Sequence, residues 1–162
     1  MSETNITLAL MTEGWEAYQN QLIKALTPLS EEQLALRAAP NLRSIGELAL
    51  HIITVRAGWF HFVLHEGGEA FGAIASWNEP GNPTRSASEL VDGLTATWKV
   101  MQKALARYTP AVLQEMVEDE DEGQIYTVTR GWVVWHVIEH DLHHGGELSF
   151  SLGSHGLSAP DI

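Results

Sequence analysis

With 162 residues, 44% of them apolar and 19% charged, the chain has the length of one domain and the composition of a folded globular protein. It contains no cysteine, which excludes disulfides, thiolate metal ligands and a cysteine nucleophile together. Nine basic against 21 acidic residues give a formal charge of −12, and the basic residues are scattered singly, which argues against direct nucleic-acid binding.

The opening stretch carries acidic residues where a secretory leader has Lys or Arg, and its apolar run is broken quickly. No segment approaches the roughly 20 apolar residues of a membrane span. The expected location is therefore the cytoplasm, away from any membrane. A first amphipathic helix is predicted from about Ile6 to Thr27, with Met11, Trp15, Tyr18, Leu22 and Leu26 spaced by threes and fours and Pro28 as its stop. Ser30 to Gln33 has the pattern of a capping box, opening a single short helical turn. A second long helix is announced by another capping box, Ser44 to Glu47, and its predicted seam is Ile45, Leu48, Ile52, Val55, Trp59 and Phe62.

Residues 66–85 are rich in Gly, Pro and Asn and read as a long loop, a flap or crossover. A third long helix starts near Ser86 or Ser88, carries Leu90, Leu94, Trp98, Met101, Leu105 and Tyr108, and ends before Pro110. Between Pro110 and Thr129 the acidic run Glu118–Glu122 reads as solvated surface. The β-branched stretch Gln124–Thr129 reads as an extended segment or hairpin arm. A fourth long helix follows Arg130-Gly131 and continues to about Leu152, with Gly153 as a stop. There are no internal repeats or domain boundaries, so the expected architecture is a single all-α domain over residues 1–162, a four-helix bundle.

Four of the eight histidines lie within nine residues of the fourth helix. At about 100° per residue, His136, His140, His143 and His144 fall within an arc of roughly 100°. Leu148 continues that stripe, which turns it toward the interior. Buried imidazoles need a hydrogen-bond or metal partner, and residues four apart converge on one ion. His140 with His144 is a natural ligand pair, His136 with His140 is geometrically equal, and His140 with His143 is poorer. On the second helix, His51 lies beside the seam and is the best third ligand. His61 and His65 sit toward the far end of that helix, and His155 in a polar tail. Three neutral imidazoles suit Zn²⁺, Ni²⁺ and related ions and leave positions open for water or a small-molecule substrate.

His51 early in the second helix, its Ser44–Glu47 lead-in, the Trp132/Trp135 approach, and His140-x-x-x-His144 followed by Gly146 and Glu147 together resemble the DinB/YfiT-like family of metalloenzymes. The resemblance spans nearly the whole chain. It implies an up-down-down-up four-helix bundle with a long loop between helices two and three. It also implies a metal triad of His51, His140 and His144. Family members with assigned activities are metal-dependent transferases or isomerases that use low-molecular-weight thiols as cosubstrates, and many are homodimers. Two positions depart from the family pattern: Gly145 stands where Arg is common, and Glu147 where Gln is common. Loss of that Arg removes a possible anion contact.

Glu147, His143 and His136 are the candidates for acid–base or orienting roles. Glu47 has a simpler explanation in its capping box. Asp141 lies off the histidine stripe by roughly 100° and reads as solvent-facing. Trp15, Trp59 and Trp98 read as core, while Trp77 in the long loop is a candidate pocket cover. Two functional classes follow. One is a metal-dependent enzyme, transferring a thiol to a small electrophile or hydrolysing a substrate. The other is a non-catalytic metal-binding or stress-response module, which a fourth protein ligand would favour.

Overall fold

The computed structural model describes residues 5–161, and the part of the leader and domain expectations that rests on residues 1–4 and 162 lies outside them. The chain is mostly helical: α1 (Ile6–Leu26), α2 (Glu31–Leu34), α3 (Ile45–Gly58), a π-helical turn (Trp59–Val63), α4 (Glu69–Ala75), α5 (Ala87–Leu105), α6 (Pro110–Leu113) and α7 (Arg130–Ser154). A hairpin of β1 (Met116–Asp121) and β2 (Gln124–Thr129) precedes α7. No helix among the described residues is long and apolar enough to cross a membrane.

The helix starts lie where the sequence puts capping residues. Ser30, Ser44 and Ser86 each close a full capping box with Gln33, Glu47 and Glu89. In each, the hydroxyl and the N3 side chain satisfy backbone donors that the first turn leaves free. The Ser44–Glu47 box fixes the start of α3 at Ile45, six residues before His51; its Glu47 Oε2 accepts the Ser44 amide at 2.7 Å. Thr129 caps α7, its hydroxyl accepting from the Trp132 amide at 3.1 Å.

The long helices bury their apolar faces against one another, α3 meeting α7 and α5, and α1 meeting α5. Two apolar clusters result. One gathers Trp15, Phe60, Met101, Leu105, Val133 and Val137, the other Leu22, Leu26, Ile52, Leu90, Leu94 and Leu148. Between them lies a buried polar layer of Arg56, Asp141 and Gln19.

Two expectations change. Residues 66–85 are not one structureless loop: α4 forms inside them and buries Phe71. Trp77, read as a candidate pocket cover, is half-buried. It packs on the second cluster with the Arg85 guanidinium 4.5 Å from its ring centre, and a Cβ at Gly93 would strike it. The seam of α3 is also interrupted. The π-turn inserts residues into the helical repeat, which rotates the following side chains; Phe60 and Val63 become core while Phe62 is 61% exposed.

The acidic run is exposed at Glu118, Glu120 and Glu122, as expected of solvated surface, and its backbone forms a strand, Glu118–Asp121 pairing in register with Gln124–Thr127. Glu122 and Gly123 both have positive φ, 49° and 78°, the signature of a two-residue type I′ turn whose twist matches the strands. Val117 and Val128 rest on the first apolar cluster, and β1 lies against the π-turn.

Candidate metal centre

Helix periodicity places His51 on the edge of α3's buried face and His140 and His144 on the matching edge of α7. Where the two helices pack, the three rings meet. Their centroids are 4.7 Å apart for His51–His140, 4.5 Å for His51–His144 and 4.3 Å for His140–His144. One nitrogen from each ring lies within 4.8 Å of the others, so the group could hold a metal ion. His51 Nε2 faces His140 Nε2 at 3.1 Å. Two ligands about 2.0–2.1 Å from a tetrahedral ion stand roughly 3.3 Å apart, so the spacing fits a shared divalent cation. The donor set is also suitable, since neutral imidazole binds zinc and nickel alike.

Electrostatics favours neutral rings. Desolvation, helped by the positive charge of Arg43 and by His144, lowers His51 to about 4. Desolvation and the neighbouring imidazoles lower His140 to about 3. Each of these two rings is thus neutral at neutral pH and keeps one nitrogen lone pair to offer a cation.

Glu147 fixes the third ring. A carboxylate only accepts, so His144 donates Nδ1–H to Glu147 Oε2 at 2.7 Å, which leaves the His144 Nε2 lone pair free. His140 lacks such support: its buried Nδ1 has no partner among the described residues. His143 is exposed, with Nε2 3.7 Å from Glu147 Oε1, and it forms with His144 and Glu147 a second group able to hold a cation. His136 stacks on Trp132, the rings 5.0 Å apart and nearly parallel, and meets Trp59 edge-on. Its ring centre stays 6.5 Å from that of His140. Glu47 serves its capping box and an ion pair with Arg37 at 2.7 Å. His61 and His155 bond backbone carbonyls, of Glu66 and Arg37 respectively.

Asp141 is the main correction. It is fully buried, not solvent-facing. Val133, Val134, Val137, Ile138, Leu148 and Leu152 form the inward face of α7, and that face is centred on Asp141, with the histidines along its border. Asp141 Oδ2 accepts from Arg56 Nε at 2.8 Å and from Trp15 Nε1 at 2.6 Å, and Arg56 Nη2 lies 2.6 Å away. Arg56 donates its remaining arm to Gln19 Oε1. Complete burial pushes the Asp141 carboxyl up, and Arg56 and Trp15 pull it back. Since Arg56 is five residues beyond His51 and Asp141 adjoins His140, this pair ties together the two helices that carry the triad.

Gly145 has a structural reason. A Cβ there would collide with the Tyr18 phenol of α1. A side chain at this position points at α1, not at the cleft beside His51, so the absent Arg does not report on substrate binding there.

Two clefts meet at His51. One, of about 450 Å³, is lined by Arg37, Arg43, Asn41, Leu50 and Asn78. The other, of about 410 Å³, is lined by Val55, Trp59, Phe62, Asn78 and the hairpin residues Asp119 and Glu120. Residues 51, 55, 59 and 62 follow helical spacing, so the displaced seam of α3 becomes the wall of a cleft.

A sequence profile of the DinB family matches residues 1–162. The chain is similar to the crystal structure of a DinB-like protein from Bacillus cereus ATCC 10987, with a TM-score of 0.68 and 23% identity, over 100% of this chain and 99% of that one. At that identity the likeness concerns the fold. No curated protein matches the chain.

Proposed function

The chain belongs to the DinB family, and from that premise we propose that it is a divalent-metal-dependent enzyme with His51, His140 and His144 as ligands. The observation that carries this reading is the convergence of three imidazole nitrogens, from two helices, within 4.8 Å. The accompanying architecture is one domain whose four long helices, α1, α3, α5 and α7, form an up-down-down-up bundle. Zinc or nickel fits the all-imidazole donor set. The reaction we favour is transfer of a low-molecular-weight thiol to a small electrophile, in the cytoplasm and with the protein as a homodimer.

A divalent ion at the triad supplies the positive charge that lowers the pKa of a thiol or water beside it. The protein's own groups do the rest. Glu147 holds His144 in one tautomer and presents a carboxylate able to accept a proton at the edge of the site. The Arg56–Asp141 pair keeps α3 and α7 in register. Two open clefts at His51 leave room for small molecules on the outward side. Three protein ligands, with no fourth from this group, suit a working site better than a closed structural one.

The test is a thiol-consumption assay with a small alkyl halide, using zinc- or nickel-reconstituted protein and chelator-treated protein side by side. Acceleration by the reconstituted protein alone supports the proposal. Metal-dependent ester hydrolysis without thiol would replace it with a hydrolase. Stoichiometric metal with neither activity would leave a non-catalytic metal-binding module.

A further inference from the structure

Six arginines occur in the chain, and five are already neutralised or engaged. Arg37 pairs with Glu47, Arg56 with Asp141, Arg85 with Glu89, Arg107 with Glu66 and Arg130 with Glu115. Arg43 alone has no side-chain hydrogen bond or ion pair among the described residues. It is exposed, and it lines the same cleft as His51. In a chain of net charge −12, one uncompensated guanidinium beside the imidazole cluster creates a local exception to a surface that repels anions.

The opposite side of His51 has the reverse character. Asp119, half-buried on the inner face of β1, borders a cleft whose wall is Val55, Trp59 and Phe62. A ligand spanning His51 therefore meets the Arg43 cation on one side and apolar surface with two carboxylates, Asp119 and Glu120, on the other. Only one orientation is favourable for an anionic molecule.

We propose that Arg43 is the oxyanion anchor of this site, and that the substrate is a small molecule with a carboxylate or phosphate at one end and an apolar body at the other. This rests on the metal-site reading above, because the anion is placed next to the triad. The guanidinium fork matches either oxyanion in bidentate fashion, and the apolar body lies toward Trp59 and Phe62. Asn78, common to both clefts, stands where the two halves of such a molecule join.

The experiment titrates benzoate, phenyl phosphate and neutral benzamide into the full chain, followed by NMR shifts of labelled histidine rings, with metal content measured in parallel. The variants are Arg43→Gln and Arg43→Lys. Both anions are expected to bind, and benzamide about tenfold more weakly. Arg43→Gln should weaken the anions about tenfold, leave benzamide and metal content unchanged, and steepen no salt dependence, while Arg43→Lys restores part of the loss. The tighter of the two anions identifies the head group as carboxylate or phosphate. Anion binding unchanged in Arg43→Gln, or benzamide binding as tightly as benzoate, would overturn the proposal. The same titrations on metal-free protein read Arg43 by itself, so a wild type that takes up no metal would fail the metal reading separately.

Discussion

Replacing Asp141 by Asn removes one charge from an ion pair whose two side chains are both 0% exposed. The Asn oxygen can still accept from Trp15, but Arg56 keeps a full charge in an interior that offers it no other carboxylate. Breaking a buried pair from one side costs about 3–5 kcal/mol. The retained Trp15 acceptor puts Asp141→Asn near the lower end, about 3 kcal/mol. Against a typical net stability of roughly 5–15 kcal/mol this is a large fraction. With a urea slope of roughly 2 kcal/mol/M the midpoint should fall by about 1.5 M. The double variant Arg56→Met/Asp141→Leu removes both charges but leaves Trp15 Nε1 and Gln19 Oε1 without partners, so it should recover only part of the loss and stay about 1–2 kcal/mol below wild type. Urea unfolding followed by circular dichroism measures all three proteins. A loss below about 1 kcal/mol in Asp141→Asn, or a double variant as unstable as the single, would refute the account of this layer.

Gly145→Ala should destabilise by about 1–3 kcal/mol through its collision with Tyr18, whereas Gly146→Ala, with nothing near its Cβ, should stabilise by about 0.5–1 kcal/mol; thermal melts of the two give opposite signs if the packing is right. Glu147→Ala should lower metal affinity about 10–100-fold by releasing the His144 tautomer, read by competition with a chromophoric chelator. In metal-free protein the folded pKa values of His51 and His140, about 4 and about 3, lie below the unfolded value. The unfolded chain then binds more protons below about pH 6.5, so this contribution to stability is complete above that pH and declines as the pH falls toward 4. A His51→Gln/His140→Gln variant should lose less stability than wild type between pH 7 and 5 in parallel urea titrations, and an identical loss would contradict the burial argument.

The helix starts were legible because capping is local: a hydroxyl and a carboxylate three residues apart carry their own explanation, as at Ser30, Ser44 and Ser86. The meeting of His51 with His140 and His144 followed from spacing on two helices, although the adjacency of those helices is a tertiary fact that residue spacing alone does not fix. Asp141 is not legible from the histidine stripe, because that stripe borders the inward face of α7 and does not centre it. Val137, Ile138, Leu148 and Leu152, plotted around the same helix, would have centred it one residue further on, and Arg56 five residues past His51 was the available partner. The π-turn at Trp59–Val63 has no comparable local signal; the helical repeat continues through it in sequence, and only packing against β1 and α4 distinguishes it. Helix α4 was hidden by flanking Gly and Pro residues, with Phe71 as its one buried anchor.

The most direct test of the central claim is the metal content of untagged wild-type protein beside His51→Ala, after incubation with zinc or nickel and removal of free ion, with circular dichroism to verify the fold. His51 is half-buried at the edge of α3, so its truncation should spare the helices. The account predicts close to one ion per chain in the wild type and a large loss in the variant with an unchanged helical spectrum. Equal metal in both proteins would contradict a site that bridges α3 and α7, and no metal in either would leave the three imidazoles as packing alone.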